Sequence, residues 1–417
     1  MVARCAPEVM WGAFLMHTTD GASETGTAPL HEMDHAASDD GEAGSRRGTA
    51  EDVRFMSEAL ALAERGRGLV SPNPVVGAVV VRDGSVVGRG WHGRYGGPHA
   101  ETVALEDAGD LSIGSTLYVT LEPCCVWGNT PPCTRAIERA GVRKVVFAVE
   151  DPNPDVCGSG ARTLSAAGIE VWSGVMKREA IAANAGYVSF RTKGLPHVLL
   201  KIAMSLDGRV KAPDGGPRWT SSEASRRAVH AMRAASDAVM VGVETVLADD
   251  PELTDRREDA PARQPARIVL DGALRTPLES KLVSSAPDVR SIVACGRAAD
   301  AEREAALAAR GVEVWRVERT DEGLDLRSVL RRAASGGLLY VLAEGGPSVA
   351  SGLMRERLVD RVAFFICPVV YGAGGLAAFA DIGPELSLRE GFASPRWSLS
   401  GGDVVFEADV AGDETAL

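Results

Sequence analysis

The chain has little of what would take it outside ordinary globular chemistry. Positive charge is not in excess: 45 Lys and Arg stand against 57 Asp and Glu, a net charge of -12 over 417 residues. That balance argues against a general nucleic-acid binder. No apolar run reaches the length of a membrane span. Residues 9–16 are apolar and follow Arg4, but no small-residue cleavage site comes after them, so a signal peptide is not expected. Cysteine is scarce and odd in number: Cys5, Cys124, Cys125, Cys133, Cys157, Cys295 and Cys367. A chain of this length needs no disulfide framework, so reduced thiols, a metal site and a cytoplasmic location are the expectation. Internal repeats and a Walker-type phosphate loop are also missing.

What is present suits two α/β domains. The length allows a core in each, and 45% hydrophobic with 24% charged residues is ordinary for a globular protein. Residues 1–50 carry eight acidic and three basic side chains, are rich in Ala, Gly, Asp, Ser and Thr, and lack periodicity. They read as a disordered extension, with His17, His31 and His35 as solvated side chains because no ligand spacing repeats. Apolar spacing then predicts a helix over 52–65, a strand over 75–81 and a hairpin turn at Asp83-Gly84. A glycine-rich loop over 88–97 leads into a helix at 99–107. A strand over 116–121 delivers Pro123-Cys124, and a helix follows over 133–140. Strands at 144–149 and 169–173 and a helical stretch near 178–190 complete a first domain, 51–195. After a break at 192–196, the second domain, 196–417, alternates again. Its strands fall at 198–204, 238–241, 267–270, 338–342, 361–366 and 403–409. Its helices fall at 222–234, 301–309 and from Pro347 to about 357.

Chemistry concentrates in two short stretches. His99-Ala100-Glu101 opens one helix, and Pro123-Cys124 is followed, eight residues on, by Cys133 at the start of another. One imidazole and two thiols are a catalytic zinc set with its fourth position open. A carboxylate two residues from the imidazole is a proton shuttle, not a ligand. A helix start also favours thiolate at Cys133. Cys125 competes with Cys124 as ligand, and the position directly after Pro123 favours Cys124. Two structural thiols beside a chance His-x-Glu would be the bland alternative. The whole set, placed at a strand end and two helix starts, outweighs it.

Asn73-Pro74, Val76-Gly77, His92, Pro98-His99-Ala100-Glu101 and Thr130-Pro131-Pro132-Cys133 resemble the deaminase half of bifunctional riboflavin-biosynthesis deaminase–reductases. Independently, Lys201, Ala203, Ser205-Leu206-Asp207-Gly208, Trp219-Thr220, the run Thr245–Thr254 and Glu344-Gly345-Gly346 resemble the reductase half. The resemblance runs from about residue 51 to the C-terminus. It implies a cytidine-deaminase-like three-layer α/β/α domain followed by a dihydrofolate-reductase-like α/β domain. It also implies zinc-dependent removal of the 2-amino group of 2,5-diamino-6-(5-phosphoribosylamino)pyrimidin-4-one, then NADPH-dependent reduction of the ribosyl group to ribityl. On this resemblance His99, Cys124 and Cys133 hold zinc and Glu101 moves the proton. Met204, Trp219, Thr245, Asp249, Gly345 and Gly346 line NADPH. Asn73, His92, Lys201, Leu253 and Glu344 meet substrate, Arg233 and Arg256 grip its phosphate, and Asp207 is a polar group near the hydride acceptor. The implied partner is a small phosphoribosylaminopyrimidine, without nucleic acid or membrane, and a homo-oligomer is expected. Taken singly, several of these residues have plainer roles: a turn at Gly345-Gly346, a cap at Asp249-Asp250, a solvated Arg233, a core Trp219. Their joint order favours the functional reading.

The pattern also departs from the family. Cys125, Val126 and Asn129 replace polar or basic residues of the deaminase loop, Arg94-Tyr95 replaces a common Lys-Ala, and Pro217 replaces a serine. Two alternatives therefore stay open at the level of sequence. One is a paralogue acting on a related aminopyrimidine in specialised metabolism. The other is a zinc-stabilised, non-catalytic scaffold, against which the intact Glu101 speaks.

Overall fold

The computed structural model describes residues 48–411 except 129, 214–219, 259–262, 381 and 383–390. Expectations placed on residues 1–47, Asn129, Pro217 and Trp219 lie outside the described residues. The chain forms two compact units. One comprises residues up to Gly66 together with Val75–Ala183; the other comprises Arg67–Pro74 and the chain from Asn184 on.

The first unit begins slightly earlier than composition suggests. Thr49 caps helix α1 (Ala50–Ala63): its hydroxyl accepts from the Asp52 N–H at 3.2 Å, and the Asp52 carboxylate accepts from the Thr49 N–H at 2.8 Å. The other Asp52 oxygen accepts from the Tyr118 hydroxyl at 2.7 Å. Burial opposes ionisation of Asp52, but the hydrogen bonds from Tyr118 and Thr49 outweigh it and hold the carboxyl below its usual range. A carboxylate with a depressed folded pKa stabilises the fold above its unfolded pKa and stops doing so as pH falls through the folded value. The unfolding midpoint of this unit is therefore expected to drop below about pH 4. Asp52→Asn should flatten that acid limb in a pH series of thermal melts; an unchanged limb would show that Asp52 contributes nothing to it.

Five strands form one sheet: β1 (Gly77–Arg82), β2 (Ser85–Trp91), β3 (Thr116–Val119), β4 (Lys144–Phe147) and β5 (Glu170–Ser173), in the order β2-β1-β3-β4-β5. β1 runs antiparallel to β2 and β3, and β3, β4 and β5 are parallel. Glycines report the layers. A Cβ at Gly77 would lie 1.9 Å from the Ala59 carbonyl of α1. A Cβ at Gly88 or Gly90 would lie 2.3 or 2.2 Å from carbonyls of helix α2 (Ala100–Ala108). Gly90 pairs with Ala78 and Gly88 with Val80, so these point away from Gly77. The two helices cover opposite faces, which makes three layers. This corrects the glycine-rich loop expected over 88–97. Strand β2 runs through Gly88 and Gly90, because only glycine lets α2 sit so close. The stretch near 178–190 is two helices, Lys177–Ala183 and Ala185–Lys193, separated at Asn184. Helix α3 (Cys133–Arg139) and helix α4 (Ser159–Ala166), which local periodicity did not reveal, complete the part that positions the site.

In the second unit nine strands make one sheet: β6 (His197–Ser205), β8 (Ala238–Gly242), β9 (Ala266–Leu270), β10 (Ser291–Gly296), β11 (Glu313–Val317), β14 (Tyr340–Ala343), β15 (Arg361–Cys367), β17 (Phe392–Ser400) and β18 (Asp403–Val410). Two short pairs lie outside it, β7 (Arg209–Lys211) with β16 (Leu376–Ala377) and β12 (Arg319–Thr320) with β13 (Gly323–Leu324). The order is β11-β10-β9-β8-β14-β6-β15-β18-β17, parallel from β11 to β15, with an antiparallel pair at one edge. β9, β10 and β14 are buried along their whole length, as central parallel strands are. The order reverses around β14, which lies between β8 and β6. Ligand sites in open parallel sheets form at the carboxyl ends of strands at such a reversal.

Candidate functional sites

In the first unit the ligand-bearing residues come from three chain segments. Pro98 precedes His99, which sits in extended conformation as the N-cap of α2 and leaves its ring free to turn inward. β3 ends at Val119, and Pro123 then fixes the approach to Cys124. Pro131-Pro132 feeds Cys133 into the first turn of α3. The Nδ1 atom of His99 lies 3.2 Å from Cys133 Sγ and 3.5 Å from Cys124 Sγ, and the ligand atoms of all three fall within 4.8 Å of one another. The Cys133 N–H points at Cys124 Sγ from 3.4 Å. Cys125 lies outside this group, and burial pushes its thiol up. Among the described residues this is the one His/Cys/Asp/Glu group with metal-ligating geometry. Its donors, one nitrogen and two sulfurs, suit zinc with a position to spare.

The charges in this cluster are tightly linked. Hydrogen bonds from Cys133 and His99 draw Cys124 down to about 4, while the same Cys124 contact and burial push Cys133 well up. Hydrogen bonding to Cys124 raises His99. Glu101 is 4% exposed in the first turn of α2, and burial together with the Cys124 charge lifts it to about 7. A carboxyl so placed can exchange a proton near neutral pH. Two neighbours steer His99. Thr130 Oγ1 lies 3.2 Å from Nε2, so an Nε2–H can donate to it and leave Nδ1 facing the sulfurs. The His92 ring meets the His99 ring edge-on at 5.5 Å, and its Nδ1–H donates to the Pro98 carbonyl at 3.0 Å. Burial keeps His92 neutral by pushing its pKa down. The sequence marked Thr130 only as part of a motif; its contact with His99 depends on how the loop folds back. Asn73, expected beside this site, lies in the segment Arg67–Pro74 of the second unit, where its N–H donates to the Val70 carbonyl at 2.9 Å.

In the second unit the expected residues gather at the carboxyl ends of β6, β8 and β14. Met204 is near the end of β6, and Thr245 lies in the helix Val243–Asp249 that follows β8, with exposed Asp249 at its last position. Glu344-Gly345-Gly346 joins β14 to the helix Pro347–Arg355. That helix start has no side-chain cap, and the position of a Cβ at Gly346 is open. Uncapped N–H groups beside open space suit a phosphate of a dinucleotide. Lys201 stands on β6; burial pushes its pKa down and the Glu344 charge opposes that. Leu253 is 2% exposed and adopts φ +57°, a costly conformation for leucine.

Two expectations change on inspection. Arg233 does not present an open fork: Nε and one terminal nitrogen donate to the two Glu344 oxygens at 2.7 and 3.0 Å, and the other donates to the Thr254 carbonyl at 3.1 Å. Burial opposes the Glu344 charge, yet Arg233 wins and holds that carboxyl below its usual range. Arg256 is exposed instead, 3.2 Å from Glu252, with its N–H donating to His230 Nδ1 at 3.1 Å. Asp207 is a loop brace. Its carboxylate accepts from the Ser205 hydroxyl at 2.6 Å and from the N–H groups of Tyr371 and Gly372 at 3.1 and 2.7 Å, and these draw it down to about 2.

Comparison with known proteins covers both units. Residues 49–149 match the family described as the cytidine and deoxycytidylate deaminase zinc-binding region, and residues 196–393 match the RibD C-terminal domain. The riboflavin biosynthesis protein RibD of Aquifex aeolicus is 40% identical over 332 residues, covering 80% of this chain and 90% of that protein. RibD of Escherichia coli is 37% identical over 359 residues, covering 82% and 96%. A solved structure of Acinetobacter baumannii RibD superposes with a TM-score of 0.78 at 35% identity, covering 87% of this chain and 99% of that one. The diaminohydroxyphosphoribosylaminopyrimidine deaminase/5-amino-6-(5-phosphoribosylamino)uracil reductase of Thermotoga maritima gives 0.76 at 34% identity with the same coverage.

Proposed function

Because the chain belongs to the RibD family, the bifunctional deaminase–reductases of riboflavin biosynthesis, we propose that its first unit deaminates 2,5-diamino-6-(5-phosphoribosylamino)pyrimidin-4-one and its second reduces the ribosyl group of the product. The observation that carries this is the convergence of His99 Nδ1 and the Cys124 and Cys133 sulfurs within 4.8 Å, beside the buried Glu101. A zinc ion held by those three atoms would supply Lewis-acid activation of water. Glu101 takes the proton that water gives up and returns it to the departing amine nitrogen. Thr130 holds the His99 ring in the tautomer that leaves Nδ1 free.

In the second unit NADPH would supply hydride to C1′ of the sugar. Met204, Thr245, Gly345, Gly346 and, at the rim, Asp249 form its bed. Arg233 holds Glu344 in the ionised form facing Lys201, so the substrate hydroxyls meet a fixed acceptor and a donor. Arg256, exposed and free of a bidentate partner, takes the substrate phosphate; Leu253 closes the floor. The enzyme's ligands are small molecules, and among the described residues no helix is long and apolar enough to cross a membrane.

The test is a pair of assays on purified full-length protein with phosphorylated and dephosphorylated substrates: ammonia release, then NADPH oxidation on the deaminated product. Turnover of the phosphorylated compounds in both supports the reading. Turnover of only the dephosphorylated forms would favour the related-aminopyrimidine alternative, to which the exposed Val126 in the ligand-bearing loop lends support. No turnover at full zinc loading would sink it.

A further inference from the structure

We propose that Glu122 is a positioning residue that aims the Cys124 sulfur at the metal. The inference rests on the zinc reading above. Glu122 is 3% exposed, yet it belongs to none of the ligand or shuttle positions. Its carboxylate accepts three backbone hydrogen bonds from a segment some thirty to forty residues further on. The Gly158 N–H donates to Oε2 at 2.9 Å, the Asp151 N–H to the same oxygen at 3.3 Å, and the Ala161 N–H to Oε1 at 3.0 Å. Gly158 and Ala161 belong to the cap and first turn of α4, whose open donors need an acceptor. Glu122 supplies it from another part of the chain, and the positive end of the helix favours its charge.

The direction set at Glu122 passes to Cys124 through one residue. Pro123 has a fixed φ and little freedom to absorb a change. Its carbonyl is clamped from the other side: a Cβ at Gly160 would lie 2.1 Å from the Pro123 oxygen. Beyond it, the Cys124 carbonyl accepts from the Thr134 N–H at 3.2 Å. The ligand thus stands on a short, fully tied segment whose anchor is a carboxylate. An amide could not replace it. A carboxylate offers lone pairs to all three N–H groups from both oxygens, whereas glutamine would turn an NH2 toward one set of donors.

Glu122→Gln in the full-length chain is expected to bind Zn2+ about ten- to a hundredfold more weakly in competition with a chromophoric chelator. It should also shift the thiolate-to-metal charge-transfer band of the Co2+-loaded protein. Tyr118→Phe is the control: it removes a buried hydrogen bond to Asp52 in the same unit, on the side of α1. Unchanged Zn2+ affinity and Co2+ spectrum in Tyr118→Phe, with both altered in Glu122→Gln, support positioning. Equal weakening in both variants, or a Glu122→Gln protein indistinguishable from the parent, overturns it. Should Glu122→Gln fail to fold, Gly160→Ala pushes the Pro123 carbonyl directly, and an unmoved Co2+ spectrum there overturns the proposal as well. A parent protein that binds no zinc removes the zinc reading itself, and this proposal with it.

Discussion

Glu101→Gln is expected to cut ammonia release by about 10²–10⁴-fold, the usual contribution of a placed general acid–base. Glutamine keeps the shape and a hydrogen-bond acceptor but cannot carry the proton in either direction. Glu101 is buried in the first turn of α2 and touches Cys133, but the ligand atoms themselves come from His99, Cys124 and Cys133. Zinc content should therefore stay at the parent level. NADPH oxidation by the second unit, supplied with deaminated substrate, should also stay unchanged, because none of its expected contacts belongs to the first unit. Parent-like ammonia release would show that some other group carries the proton. A loss of zinc would show that Glu101 acts on the metal instead.

The second large effect is on stability. Arg267, the second residue of β9, is fully buried and hydrogen-bonds no carboxylate among the described residues, although the nearby Glu252 charge acts on it. Burial pulls its pKa down to about 10, so it stays charged at neutral pH. Its guanidinium donates to the carbonyls of Glu252, Leu282 and Val289 and to the hydroxyls of Ser285 and Ser291. In Arg267→Met part of this set repairs itself, because the Ser291 hydroxyl already donates to the Val289 and Leu282 carbonyls and the Ser285 hydroxyl to that of Lys281. The Glu252 carbonyl loses its donor. The net loss is expected to be about 3 kcal/mol, set by the charged hydrogen bonds removed. In a unit of this size that lowers the unfolding midpoint by about 6–12 °C. Calorimetry should show the later transition unmoved if it belongs to the first unit. The loss should also reach the reductase, since Glu252 precedes the strained Leu253; a higher KM with the midpoint shift is the joint signature. An unchanged midpoint would mean that the charge costs as much buried as its bonds return.

How much of this the sequence shows depends on how local the cause is. His99, Glu101, Cys124 and Cys133 are legible because their chemistry is rare and their spacing short. The β1–β2 hairpin is legible because Asp83-Gly84 announces its own turn. Gly88 and Gly90 mislead because glycine signals a loop locally, while their reason is the carbonyls of a helix that comes later. Helix Ser159–Ala166 is hidden because few of its residues are buried, Gly160 and Leu164 among them. The edge strand Phe392–Ser400 is hidden because it is mostly exposed. Glu122 and Arg267 look like any surface charge until the segments they hold are brought to them. Arg233 shows the limit from the other side: its position follows from the family pattern, but its commitment to Glu344 is visible only in three dimensions.

A methyl group at position 90 would be aimed at the carbonyl of Ala100, 2.2 Å away, and Ala100 is the residue between His99, the proposed zinc ligand, and Glu101, the proposed proton carrier. The enzyme's chemistry is thus calibrated by an atom that is not there. Mutational scans would score that site as catalytic although it carries no functional group, and attempts to stiffen the strand by filling it would move the histidine and the acid together.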